Sequence, residues 1–252
     1  MNNKVTAILQ ARMNSSRFPG KVLADLNGLP MIVQQIKRVK LSKEISNLIV
    51  AISDDTSDDE LAEELLGSNC EIYRGSQEDV FSRFCNIVSM EDSNSFVRLT
   101  ADCPLVMPSI IDEVVRSFKG GSVDYMSNTI TPTFPDGLDV EVFTRNAFFR
   151  LTELTLSAEE REHVTLGFHR NSDLFTRRNF EESRNRSNMR WTVDYPEDLE
   201  FVRSIYAHFK GRESTFEYGE VLAFLSSNPE VISRIPASQR NEALLKPIEG
   251  HN

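Results

Sequence analysis

The stretch Val5-Thr6-Ala7-Ile8-Leu9 runs straight into Gln10-Ala11-Arg12-Met13-Asn14-Ser15-Ser16-Arg17-Phe18-Pro19-Gly20-Lys21. Five apolar or β-branched residues in a row predict a strand buried on both faces. The polar segment behind it, closed by Pro19-Gly20, predicts a loop at the strand's carboxyl end. That loop carries three cations, Arg12, Arg17 and Lys21, and two hydroxyls, Ser15 and Ser16. Backbone N–H groups and hydroxyls in such a loop can cradle phosphate oxygens while Arg and Lys neutralise them. The same composition also describes a solvated basic turn. It is not a P-loop, which needs GxxxxGK[ST], and no GxGxxG dinucleotide loop occurs in the chain.

The same rhythm continues outward. Helices are predicted over Pro30–Lys40, from Ser57 on a stripe of Leu61, Leu65 and Leu66, over Glu78–Met90 and over Pro108–Lys119. Between them lie strand candidates Leu48–Ile52, Glu71–Arg74 and Ser95–Thr100. Strands alternating with helices predict an α/β fold with a doubly wound, mostly parallel sheet in three α/β/α layers. Beyond Gly121 the rhythm loosens. Val123–Ser127, Leu138–Phe143 and Arg190–Val193 read as strands, and Ala147–Leu154, Glu159–His169, Glu197–Lys210 and Tyr218–Ser226 as helices. No repeat or linker interrupts the chain, which predicts one domain over 1–236 and a loose polar tail over 237–252.

Composition narrows the function classes. The 252 residues are 40% hydrophobic and 26% charged, the balance of a soluble globular protein. Acidic residues outnumber basic ones 38 to 28, and the net charge of −10 repels nucleic acid. No apolar run approaches a membrane span, and the N-terminus lacks the apolar segment of a signal peptide. Cys70, Cys85 and Cys103 form no CxxC pair, and four histidines show no HExxH spacing. These features predict reduced thiols, a cytoplasmic location, no membrane partner and no zinc site.

In an open α/β sheet, ligands bind outside the carboxyl ends of the strands. That rule selects Asp102 in Leu99-Thr100-Ala101-Asp102-Cys103-Pro104, a carboxylate placed either to hold Mg²⁺ or to cap a turn. It also selects Asp194 in Trp191-Thr192-Val193-Asp194-Tyr195-Pro196, whereas Glu197 and Asp198 read as an acidic helix start. In Asp136-Gly137-Leu138-Asp139-Val140-Glu141, alternation puts Asp139 and Glu141 on one strand face, for substrate or for water. The run Asp54, Asp55, Asp58, Asp59 reads as a loop and helix start. His163 falls on the helix predicted over Glu159–His169, as a base or as a partner to a neighbouring charge.

Taken in order, Gln10–Lys21, Leu23–Ile32, Tyr73-Arg74-Gly75-Ser76 with Asp79-Val80, Arg98–Leu105, Asp136–Phe143, Arg161–Thr165 and Trp191–Leu199 resemble the CMP-sugar synthetase, or cytidylyltransferase, family. The likeness is to 3-deoxy-manno-octulosonate cytidylyltransferases and, more closely, to the spore-coat-polysaccharide (SpsF-like) branch. It implies a nucleotide-diphosphosugar-transferase-like, Rossmann-like domain. It implies transfer of CMP from CTP to a sugar acid with release of pyrophosphate. Carried over by position, Asp102 and Asp194 would hold Mg²⁺, and Arg12, Arg17 and Lys21 would bind the triphosphate. Leu9, Gln10, Ala11, Ser15, Ser16, Gly75, Ser76 and Thr100 would complete the nucleotide site. Asp136, Asp139, Glu141 and His163 would meet the acceptor. The resemblance also implies a homodimer formed through roughly residues 125–185. Thr100 stands where the octulosonate enzymes carry glutamine. Two other classes share the fold's expectations: a sugar-1-phosphate nucleotidylyltransferase or nucleotide-sugar glycosyltransferase, and a non-catalytic nucleotide-binding protein.

Overall fold

A computed structural model describes residues 4–232; the tail expected over 237–252 lies outside the described residues. In chain order the elements are β1 (Val5–Gln10), a hairpin of β2 (Asp25–Leu26) and β3 (Leu29–Pro30), α1 (Met31–Val39), β4 (Asn47–Ser53), α2 (Asp59–Leu65), β5 (Glu71–Gly75), α3 (Val80–Met90), β6 (Ser95–Thr100) and α4 (Pro108–Lys119). Then follow β7 (Tyr125–Ser127), β8 (Glu141–Thr144), α5 (Arg145–Thr152), α6 (Ala158–Glu162), α7 (Leu166–Arg170), β9 (Arg177–Asn179), α8 (Pro196–His208), α9 (Tyr218–Ser227) and α10 (Pro229–Ile232).

Seven strands make one sheet in the order β5-β4-β1-β6-β8-β7-β9. β1 pairs in parallel with β4 on one side and β6 on the other, and β8 runs antiparallel to both β6 and β7. The chain winds outward from β1 to β5, then crosses back to β6, so strand order reverses between β1 and β6. That is the crevice where such sheets take ligands.

Strand alternation builds two cores. Val5, Ala7 and Leu9 of β1, with Leu48, Val50 and Ile52 of β4, pack against α1, α2, α4, α8 and α9. Ile8, Ile49, Ala51 and Phe96 face the other way, onto α3, α5 and α7. The apolar runs were therefore buried on both faces, as parallel strands require.

Three expectations for the second half are corrected. Leu138–Val140 is not strand, because the Asn128 side chain takes its backbone groups: Nδ2 donates to the Leu138 carbonyl at 2.7 Å and Oδ1 accepts from Val140 N at 2.9 Å. Arg190–Val193 is not strand either. It makes one bridge, Asp136 with Arg190, and its other amides go to loops: Trp191 N to Asp136 O and Val193 N to Asp102 O. The seventh strand is instead β9, an Arg-Arg-Asn edge with no apolar alternation to announce it. The helix expected over Glu159–His169 is two short helices, with His163 as the C-cap of α6 at φ −100°, ψ 68°. The break turns Val164 into the core.

Gly137 sits at φ +103°, and a Cβ there would stand 2.6 Å from Thr192 N and from the Trp191 carbonyl carbon. Gly137→Ala is expected to cost about 3 kcal/mol of stability, from backbone strain plus that collision. Urea unfolding measures it, and a loss under about 0.5 kcal/mol would show that the two segments are not in close contact.

Candidate active site

The loop behind β1 is tied down by an acid from the neighbouring crossover. Asp58, fully buried, accepts from Ser53 N at 2.8 Å and from Met13 N at 2.7 Å. Asn14 adds a bond to the Ser57 hydroxyl. Gly20 turns the loop at φ 72°, and a 3₁₀ turn over Lys21–Leu23 then points Lys21 back under the sheet's end.

Lys21 is buried, and its Nζ donates to the Val193 carbonyl at 2.6 Å and to Asp194 Oδ1 at 2.9 Å. The same ammonium lies 3.7 Å from Asp102 Oδ2, so it stands between the two aspartates that the strand-end rule selected. Arg17 reaches Asp194 Oδ1 at 2.6 Å and lies over the Tyr195 ring. Arg190 closes the other side, with Nη2 2.8 Å from Asp194 Oδ2. Behind it, Asp198 holds Arg190 and accepts from the amides of Asp194 and Tyr195 at 2.8 and 3.0 Å. The acid at the start of α8 is thus a scaffold for Asp194.

Burial works against the Asp194 charge, but Lys21, Arg190 and Arg17 together hold its carboxyl at about 2. A depressed folded value means stability that is full above the ordinary 3.8 and is lost as pH falls toward 2. Asp194→Asn is expected to lose about 2 kcal/mol at pH 6, with the gap from wild type closing between pH 4 and 2. Urea unfolding across that range checks it; a gap independent of pH would contradict the ion cluster.

Asp102 is placed differently. Its side chain is 32% exposed. The Thr100 hydroxyl donates to its Oδ1 at 2.6 Å, while its backbone carbonyl accepts from Val193 N and the Thr192 hydroxyl. Carboxylates from two segments therefore converge on the Lys21 ammonium, with Asp102 the more open of the two. Hard carboxylate oxygens completed by phosphate and water suit Mg²⁺.

Two chambers open on this cluster and share Arg17, Arg98, Thr100, Asp102, His163 and Asp194 as their common wall. One, about 380 Å³, is walled by the basic loop: Gln10, Ala11, Arg12, Ser15, Ser16 and Lys21. The other, about 420 Å³, holds Asp136, Asp139 and Glu141, with Thr129, His169 and Arg190. Each has the volume of a small-molecule site. Arg12 stands at the rim, 3.9 Å from Glu162 and half exposed. Burial lowers the His163 pKa, against the pull of Glu162 and Glu159 and with help from Arg98 and Arg12.

Three candidates lie apart from these chambers. Leu9 is fully buried in the core. Gly75 and Ser76 end β5, two strands from β1; a Cβ on Gly75 would meet Arg83 at 2.8 Å, and the Ser76 hydroxyl accepts from Asp79 N. Arg98, His169, Arg190, Thr129, Thr165 and Thr192 line the acceptor-side chamber without having been singled out. Arg98 alone carried a signal, a charge inside an otherwise apolar strand.

The sequence profile of the family described as Cytidylyltransferase matches residues 6–227. The chain is 31% identical over 236 residues to the spore coat polysaccharide biosynthesis protein SpsF of Bacillus subtilis, covering 90% of this chain and 96% of that protein. A 3-deoxy-manno-octulosonate cytidylyltransferase of Geobacter metallireducens is 34% identical over 114 residues, 44% of this chain and 43% of that enzyme. Among solved structures, a cytidylyltransferase from Leptospira borgpetersenii superposes with a TM-score of 0.87 at 28% identity, covering 94% of this chain and 99% of that one.

Proposed function

The chain belongs to the cytidylyltransferase family, and we propose that it transfers CMP from CTP to a sugar acid of the ulosonic type, releasing pyrophosphate, in the synthesis of a surface polysaccharide or glycan. The CTP-dependent nucleotidyl transfer is the family's activity; the acceptor is our reading. One observation carries it. A chamber lined by the cations and hydroxyls of the basic loop and a second chamber of about 420 Å³ meet at the Lys21, Asp102 and Asp194 cluster, which supports a reading in which two substrates face each other across one charged centre.

In this scheme a sugar hydroxyl attacks the α-phosphorus of CTP, the bond between that phosphorus and the bridging oxygen to the β-phosphate breaks, pyrophosphate leaves, and the hydroxyl proton passes to solvent water. Crowded anionic oxygens make charge compensation the main catalytic task. Arg12, Arg17 and Lys21 neutralise the triphosphate, with Ser15 and Ser16 hydroxyls as further donors. Thr100 fixes the direction of the Asp102 carboxylate. Asp136, Asp139, Glu141 and His163 accept hydrogen bonds from hydroxyls of the acceptor. Mg²⁺ held by Asp102 and Asp194 would supply further positive charge at the α-phosphoryl group and acidify the attacking hydroxyl. The proposal includes a homodimer through roughly residues 125–185 and a cytoplasmic site of action, where CTP is made. No helix among the described residues is long and apolar enough to cross a membrane.

The test is pyrophosphate release with Mg²⁺, using CTP, UTP, GTP, ATP and dTTP against ulosonic acids and sugar 1-phosphates. Release with CTP and an ulosonic acid is expected. Release only with a sugar 1-phosphate would replace the acceptor class.

A further inference from the structure

A row of buried and half-buried polar side chains crosses four adjacent strands along the floor of the two chambers. It begins at Gln10, the last residue of β1, and continues through Arg98 of β6, Glu141 of β8 and Tyr125 of β7 to His169 of α7. Arg98 and Glu141 are direct cross-strand partners, and Arg98 Nη1 bonds Glu141 Oε1. The Tyr125 hydroxyl donates to Glu141 Oε2 at 2.5 Å and lies 3.1 Å from His169 Nε2. At the other end, Arg98 Nη2 donates to Gln10 Oε1 at 3.3 Å.

Ionic pairing of this quality is hard to shift. Burial opposes the Glu141 charge, but Arg98, with the Thr165 and Tyr125 hydroxyls, holds the carboxyl below its usual range. Both ends of the Arg98–Glu141 pair are therefore charged, and Arg98 is fixed in place by it. A guanidinium has five donors and no acceptor. The Gln10 atom facing it must then be the amide oxygen, which turns the Gln10 amino group away from Arg98. Gln10 lines the basic chamber and not the other.

We propose that Arg98, anchored by Glu141 and Tyr125, is a positioning residue that fixes the Gln10 amide so that its N–H donors face an oxygen of the bound nucleotide. This rests on the reading of the basic chamber as the nucleotide site. The polar row then has a task that packing alone does not explain. A charged pair inside an apolar sheet is no more stabilising than hydrophobic residues of the same size. Here it sets which end of a neutral amide the ligand meets.

The experiment is CTP binding by calorimetry, with steady-state kinetics alongside. Gln10→Glu keeps an acceptor oxygen for Arg98 but has no N–H to offer and brings a negative charge to the chamber. Its CTP dissociation constant is expected to rise roughly thirtyfold, while its melting temperature stays at or above wild type. Gln10→Met is expected to lose about tenfold in CTP affinity with the acceptor KM unchanged. Tyr125 lines neither chamber. Tyr125→Phe, which loosens Glu141, is expected to weaken CTP binding about threefold. Wild-type CTP affinity in Gln10→Glu would overturn the donor assignment, and wild-type affinity in Tyr125→Phe would overturn the anchoring. Failure of the wild-type chain to bind CTP at all would instead overturn the nucleotide-chamber reading, and this proposal with it.

Discussion

Lys21→Met is expected to lower kcat/KM by on the order of 10³ while the chain still folds. The ammonium is the point where the site's segments meet: it bonds the Val193 carbonyl and Asp194, and it lies 3.7 Å from Asp102. Methionine fills the same volume without charge. Two aspartates are then left converging with no cation between them, and the triphosphate loses its most buried positive partner. The fold survives because Arg17 and Arg190 still neutralise Asp194. The stability loss should stay at about 1–3 kcal/mol, the cost of unmade buried hydrogen bonds. Pyrophosphate release and thermal melting measure the two effects separately. Turnover within tenfold of wild type would remove Lys21 from the chemistry.

Asp102→Asn is expected to cost 10²–10³ in kcat, the scale of one lost electrostatic contact in a transition state. Its melting temperature should be unchanged. The backbone carbonyl of residue 102 keeps its bonds to Val193 N and the Thr192 hydroxyl, and an amide oxygen can still accept from Thr100. Only the charge and one lone-pair direction are lost. Asp102 and Asp194 look equivalent as strand-end acids, yet the structure separates them. Asp194 is clamped by three cations, whereas Asp102 is partly open to the chambers. Near-normal turnover of Asp102→Asn at saturating Mg²⁺ would take residue 102 out of any metal site.

The first half of the fold was legible because apolar runs and 3.6-residue stripes agree there. β6 and α4 begin and end where the pattern puts them. In the second half α8 and α9 were as legible, but Leu138–Val140 and Arg190–Val193 were not, because their backbone groups are taken by side chains and distant loops instead of neighbouring strands. Asn128 mimics a strand for Leu138–Val140, and Lys21 takes the carbonyl of Val193. No local periodicity records such bonds. The strand-end rule places Asp102 correctly, just behind β6, whereas Asp194 follows a segment that is not strand and meets Lys21 through loop contacts. It gave no sign of Arg190, because a side chain's reach across the crevice depends on packing. Asp58 and Asp198 read as ordinary helix-start acids, and both prove structural, one anchoring the basic loop and the other Asp194.

Lys21 meets Val193 and Asp194 across 172 and 173 residues of chain. The strands β1, β4, β5 and β6 all lie within the first hundred residues, so most of the sheet can pair while the chain is still being made. The charged centre cannot. It closes a loop of nearly the whole domain, and its scaffold Asp198 comes later still. A chain interrupted before residue 194 would hold the segments of β1, β4, β5 and β6 yet present Lys21 with Asp102 alone. The Lys21–Asp194 contact and its Asp198 scaffold are thus among the last long-range contacts the growing chain can make.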